Sequence, residues 1–162
     1  MTYMFPSMYR GGDDDHAHTE QRVTFDAPPL PLKIGYWWLV VSAGLAIFFG
    51  LVVATSGYSG DTNVDPRLIA AVELNQRFVG VFNIVAGFLI AMLMTQVRRA
   101  VKYSRRWTLA VIVLCVLVDL IAFTVKAAGV GIALIPILLT TGALIIYRPI
   151  VNQYFAYQND EY

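Results

Sequence analysis

The sequence predicts an all-α polytopic membrane protein, a bundle of four transmembrane helices with cytoplasmic N and C termini. The prediction rests first on four apolar stretches, nearly free of Asp, Glu, Lys and Arg, each about the 20 residues needed to cross the hydrocarbon core. The composition agrees. Of 162 residues, 57% are hydrophobic and only 14% charged, with a mean hydropathy of +0.60, whereas about a quarter of a soluble domain is charged. Finally, the basic residues fall mostly on one side of the predicted crossings, and that side is held in the cytoplasm.

Residues 1–32 form a predicted cytoplasmic arm, partly disordered. It is acidic, with Asp13, Asp14, Asp15, Glu20 and Asp26. A cleaved signal peptide is not expected, because such a signal has a basic start and a shorter apolar run near the N-terminus. Pro28, Pro29 and Pro31 predict an extended strap just before the membrane. Tyr3, Met4, Phe5, Met8 and Tyr9 make an apolar patch that few disordered tails carry, and it is read as a surface for docking onto a partner.

The membrane domain is placed at 33–148. Its first helix, at about 36–57, carries Ala43, Ala46, Gly50 and Ala54 in a stripe of small residues that lets another backbone come close. The second, at about 66–97, starts from Asp65 as an N-cap and Pro66 at the first helical position. Gly80, Gly87 and Ala91 share one of its faces with Asn83, so the first two helices are expected to pack on these stripes. The third runs over about 107–125 and contains Asp119. The fourth runs over about 130–147, with Pro136 predicting a modest kink relieved by Thr140 and Thr141 hydroxyls. Residues 149–162 are read as a cytoplasmic tail, aromatic through Tyr154, Phe155, Tyr157 and Tyr162, with nothing of its own to pack against.

Arg98, Arg99, Lys102, Arg105 and Arg106 fill the link between the second and third helices without one acid. Arg22, Lys33 and Arg148 lie on the same side, and only Arg67, Arg77 and Lys126 on the other. Tyr36, Trp37, Trp38, Tyr103, Trp107 and Tyr147 mark the inner interface as an aromatic belt. The five basic residues of the link are predicted to bind anionic phospholipid headgroups, at about 1 kcal/mol per residue near the surface.

A carboxylate in mid-helix costs about 2.5 to 3.5 kcal/mol on insertion scales, so Asp119 must have a partner. At 1.5 Å per residue, Asp119 lies about 10 Å from the outer end of its helix and Asn83 about 9 Å below Arg77. The matching depths predict an Asn83 to Asp119 hydrogen bond as structural glue, with Arg77 or Lys126 able to reach inward. The alternative is a proton- or cation-coupling site.

Several chemistries are excluded. Cys115 is the single cysteine, so neither a disulfide nor a paired-thiol centre forms within the chain. The histidines, His16 and His18, are confined to the arm, which leaves no bis-His haem site in the membrane. Phosphate-binding Gly-rich loops, Ser/His/Asp sets and HExxH motifs do not occur. No catalytic residue, cofactor or metal is expected. The net charge of +1 hides a strong segregation and does not bear on nucleic acid, but no basic groove with interleaved aromatics appears outside the membrane, so a nucleic-acid partner is not expected.

The Pro-Leu-Pro-Leu-Lys run at 29–33, the Arg105-Arg106-Trp107 start of the third helix, and Arg148-Pro149 followed by Asn152, Tyr154 and Phe155 carry a resemblance. Across roughly 29–155 the chain resembles a group of small four-helix membrane proteins common in actinobacteria. Some of these look like accessory subunits of the respiratory supercomplex that joins a menaquinol:cytochrome c reductase to the terminal oxidase. The resemblance implies a multi-pass plasma-membrane protein that is not an enzyme. Its function would be to scaffold or stabilise a larger assembly, with respiratory cytochrome subunits and anionic phospholipids as partners. The alternative function is a small ion-coupled homodimeric transporter using Asp119.

Overall fold

The computed structural model describes residues 27–58, 60, 63, 65–124 and 130–160. Among them are five α-helices and no strand: α1 Leu30–Thr55, α2 Pro66–Arg98, α3 Ser104–Thr124, α4 Val130–Ile146 and α5 Pro149–Asp160.

Helix α1 starts earlier than its apolar run suggests. Pro29 is extended, at φ −61° and ψ 146°, and its carbonyl accepts from the N–H groups of Leu32 and Lys33 at 2.9 and 3.3 Å. Pro31 therefore sits in the first turn, where its missing N–H would have had no helical partner anyway. This corrects the extended strap expected through Pro31 and moves the start of the helix from 36 to 30. At the other end, the Thr55 hydroxyl donates to Leu51 O at 2.8 Å and the Ser56 hydroxyl to Val52 O at 2.6 Å, side-chain donors onto carbonyls of the closing turns.

Helix α2 opens with Asp65 accepting the Arg67 N–H at 2.9 Å and Pro66 in the first turn. Its 33 residues span about 50 Å, more than the hydrocarbon core requires. It ends in a Schellman turn: Ala100 N–H donates to Val97 O and Val101 N–H to Gln96 O, at 3.0 and 3.2 Å. Ala100 takes the left-handed conformation there, at φ 53°, a position usually given to glycine.

Helices α1, α2 and α3 are each long and apolar enough to cross a membrane. Helix α4 has 17 residues, about 26 Å of rise, slightly short of a full crossing. It reaches the required length only together with α5, from which it is bent by 59°. Helix α4 ends at Ile146, one residue from the expected boundary, because Pro149 cannot continue its backbone ladder.

Helices α2, α3 and α4 each pack on the one before, and α4 closes the ring on α1. The small-residue stripes of α1 and α2 meet. A Cβ built on Gly50 would lie 2.7 Å from Gly80 O, and one built on Gly87 would lie 2.7 Å from Ala43 O. Where α1 meets α4, a Cβ on Gly35 would meet Ile146 Cγ1 at 2.7 Å, and the Trp38 indole N–H donates to Leu138 O at 2.9 Å. Pro136 is buried inside α4, and the Thr141 hydroxyl donates back to Ile137 O at 2.8 Å.

Arg98 lies 5.6 Å over the Tyr36 ring, and Arg105 donates to Ile146 O at 3.1 Å. The starts of α1 and α3 and the ends of α2 and α4 therefore share one end of the bundle, the basic one. Helix α5 covers that end. Val151, Tyr154 and Phe155 are buried and join the core with Leu32, Val97 and Ile146. This corrects the reading of 149–162 as a tail with nothing to pack against: Pro149 starts a helix, and residues 151, 154 and 155 share one apolar face.

Large apolar side chains point outward, among them Trp37, Phe88, Trp107, Ile121 and Leu144, each more than 60% exposed. Asn83 and Asp119 point inward, at 0% and 1%. This polarity is the reverse of a water-soluble bundle and fits a lipid solvent.

Candidate functional site

The buried polar centre joins α2 and α3. Asn83 Nδ2 donates to Asp119 Oδ1 at 2.6 Å and to its own helix at Val79 O at 3.1 Å. One turn before Asp119 on α3, the Cys115 thiol lies 3.7 Å from both Asp119 Oδ2 and Asn83 Oδ1. Asp119 Oδ1 is held by the Asn83 amide, and the single thiol hydrogen serves one of the other two oxygens at a time. Asn83 reaches across because α2 presents it between Gly80 and Gly87, on the face the close approach buries. Among the described residues no cation joins the centre. Arg77 is exposed, and Lys126 lies outside the described residues.

Sequence spacing could have found the third member. Cys115 and Asp119 stand four apart on α3, which places them on one helix face. Chemically the centre is a closed, acceptor-rich cluster, 0% to 1% exposed at each of its three residues. It can clamp two helices, and none of its three residues is open to solvent.

The predicted headgroup-binding residues divide. Arg98, Arg99, Lys102 and Arg106 are exposed at the basic end. Arg105 instead turns into the protein. Its guanidinium donates to Ile146 O and to Asn152 Oδ1, the latter at 2.6 Å, and lies 4.5 Å from the Tyr147 ring and 4.8 Å from the Phe155 ring. The Tyr147 hydroxyl returns a hydrogen bond to Arg105 O at 3.0 Å. Arg105 thus clasps α3 to α4 and α5, which a count of basic residues cannot reveal. Its Nε–H is buried without an acceptor.

Tyr3, Met4, Phe5, Met8 and Tyr9 lie outside the described residues, as do His16 and His18. Among the described residues no group of three or more His, Cys, Asp and Glu side chains could hold a metal. An open apolar groove of about 460 Å³ runs along α1, with Lys33 at one end and Trp37, Trp38, Val41 and Leu138 along it. No family model, curated protein or solved structure matches the chain.

Proposed function

We propose that this chain is a non-catalytic accessory subunit that scaffolds a larger complex of the plasma membrane, in the respiratory chain. It crosses the bilayer four times, with α4 as a short last crossing, α5 at the inner surface, and both termini in the cytoplasm. The observation that carries this reading is the reversed polarity of the bundle. Broad outward faces of Trp, Phe, Leu and Ile are offered to lipid and neighbouring subunits, and the buried polar groups are spent on each other. Supporting it are the run at 29–33, the Arg105-Arg106-Trp107 and Arg148-Pro149 motifs, and their resemblance to supercomplex subunits. The arm, through Tyr3, Met4, Phe5, Met8 and Tyr9, supplies a docking contact to the partner, and the exposed Arg98, Arg99, Lys102 and Arg106 hold headgroups.

The coupling-site alternative fits less well. A coupling carboxylate needs a path to water, and Asp119 is 1% exposed with one oxygen held by the Asn83 amide.

The test is isolation of a tagged full-length chain in mild detergent, with identification of stoichiometric companions. Reductase and oxidase subunits are expected; recovery of the chain alone overturns the scaffold. Removing residues 1–12 should weaken that recovery, and an unchanged yield refutes the docking contact of the arm.

A further inference from the structure

We propose that the basic end holds a built site for the phosphate of one anionic phospholipid. The site is a recess of about 400 Å³ between the α2–α3 connection and α5, lined by Lys102, Arg105 and Arg106 and, among the described residues, by no Asp or Glu. The inference rests on reading this end as a membrane surface, and not on the chain being an accessory subunit.

Three cations line it, and among the described residues its lining supplies no counter-ion. Every partner of Arg105 is neutral: a carbonyl, the amide oxygen of Asn152 and two rings. Arg106 and Lys102 are exposed and lie 5.4 and 5.6 Å from the Tyr103 ring. Tyr103 is itself held in the left-handed region, at φ 67°, a conformation bulky residues avoid unless their surroundings impose it. Like charges gathered beside low-dielectric walls repel one another and focus a positive potential that an anion relieves.

The depth selects the source of that anion. Tyr103 and Trp107 stand one turn apart and are both mostly exposed, as belt residues are at headgroup level. The recess therefore opens where phosphates of the inner leaflet lie. Val101, Phe155 and Ala156 line it as well and suit a glycerol backbone and the first methylenes. A phosphodiester with a neutral headgroup, as in phosphatidylglycerol, meets the three cations without bringing a cation of its own. Phosphatidylcholine brings one. This is a seat for a single lipid, distinct from the diffuse attraction of a basic loop to a charged surface.

The test uses the full-length chain in detergent micelles, offered equal amounts of phosphatidylglycerol and phosphatidylcholine, with retained lipid counted by native mass spectrometry. One phosphatidylglycerol per chain is expected, retained at least about fivefold over phosphatidylcholine, the ratio one basic residue supplies near a surface. Lys102→Gln with Arg106→Gln should bring the ratio close to one. Asn152→Ala, which removes no charge, should lower it by loosening Arg105. The paired loss of Lys33 and Arg148 to Gln, equal in charge but outside the recess, should leave it within about twofold. Equal retention of the two lipids by the unaltered chain overturns the site. So does an equal drop in both double variants, which is the mark of diffuse attraction. Complete displacement of phosphatidylglycerol by inorganic phosphate at about 10 mM overturns the lipid assignment, since a site for free phosphate saturates at such concentrations. The companions recovered with the tagged chain do not bear on any of these outcomes.

Discussion

Asp119 is legible from sequence because charge is rare inside a bilayer, and its partner is legible because flanking charges fix where helices leave the membrane. Depth then pairs it with Asn83, and the 2.6 Å hydrogen bond joins them. Arg105 is the converse case. Its charge is visible, but its partners Ile146 and Asn152 are remote in sequence, and nothing in the link foretells that one of five cations folds inward. If the centre is structural, Asp119→Asn should change unfolding free energy in mixed micelles by less than about 1 kcal/mol, since an oxygen remains for Asn83. Asn83→Ala removes the donor, strands the acid and opens a void, and should cost about 1–3 kcal/mol. Preserved stability of Asp119→Asn with loss of proton-driven flux in vesicles would instead establish the coupling role.

The contact between α1 and α2 is set by what glycine leaves out. A Cβ on Gly80 would stand 2.5 Å from Ala54 N and Gly50 O, both rigid backbone, whereas one on Gly44 would meet nothing within 4 Å. Gly80→Ala should therefore push the helices apart and cost about 1–3 kcal/mol. Gly44→Ala should be neutral or stabilising by about 0.5–1 kcal/mol, because alanine loses less backbone freedom in a helix. Equal effects at the two positions would mean that the stripes do not set the packing. These stripes can be read from the chain, since small residues mark close approach when all else is apolar. Helix α5 was hidden for the opposite reason. Its aromatic residues look like those of a loose interfacial tail, and only the spacing of Val151, Tyr154 and Phe155 after Pro149 separates a docked helix from one.

The molecule as a whole is a ring of four helices with most of its cations gathered at one end, beneath which α5 lies across the core. The proposed orientation in the bilayer rests on that gathering, since basic links are retained in the cytoplasm, and the crossing number turns on α4, whose 17 residues are marginal. The fold itself supplies a clean reporter. Cys115 is the single cysteine and is 0% exposed, so a membrane-impermeant maleimide should leave the unaltered chain unlabelled, and single cysteines placed at exposed positions can be read one at a time. Arg67→Cys, at the start of α2, should be labelled on intact cells. Arg99→Cys, after α2, and Gln153→Cys, on the outer face of α5, should be labelled only once the membrane is opened. If Arg99→Cys and Gln153→Cys respond from opposite sides, α4 does not cross and three crossings remain. If all three positions respond in the reverse order, the basic end faces outward, and neither inner-leaflet headgroups nor cytoplasmic docking of the arm can hold.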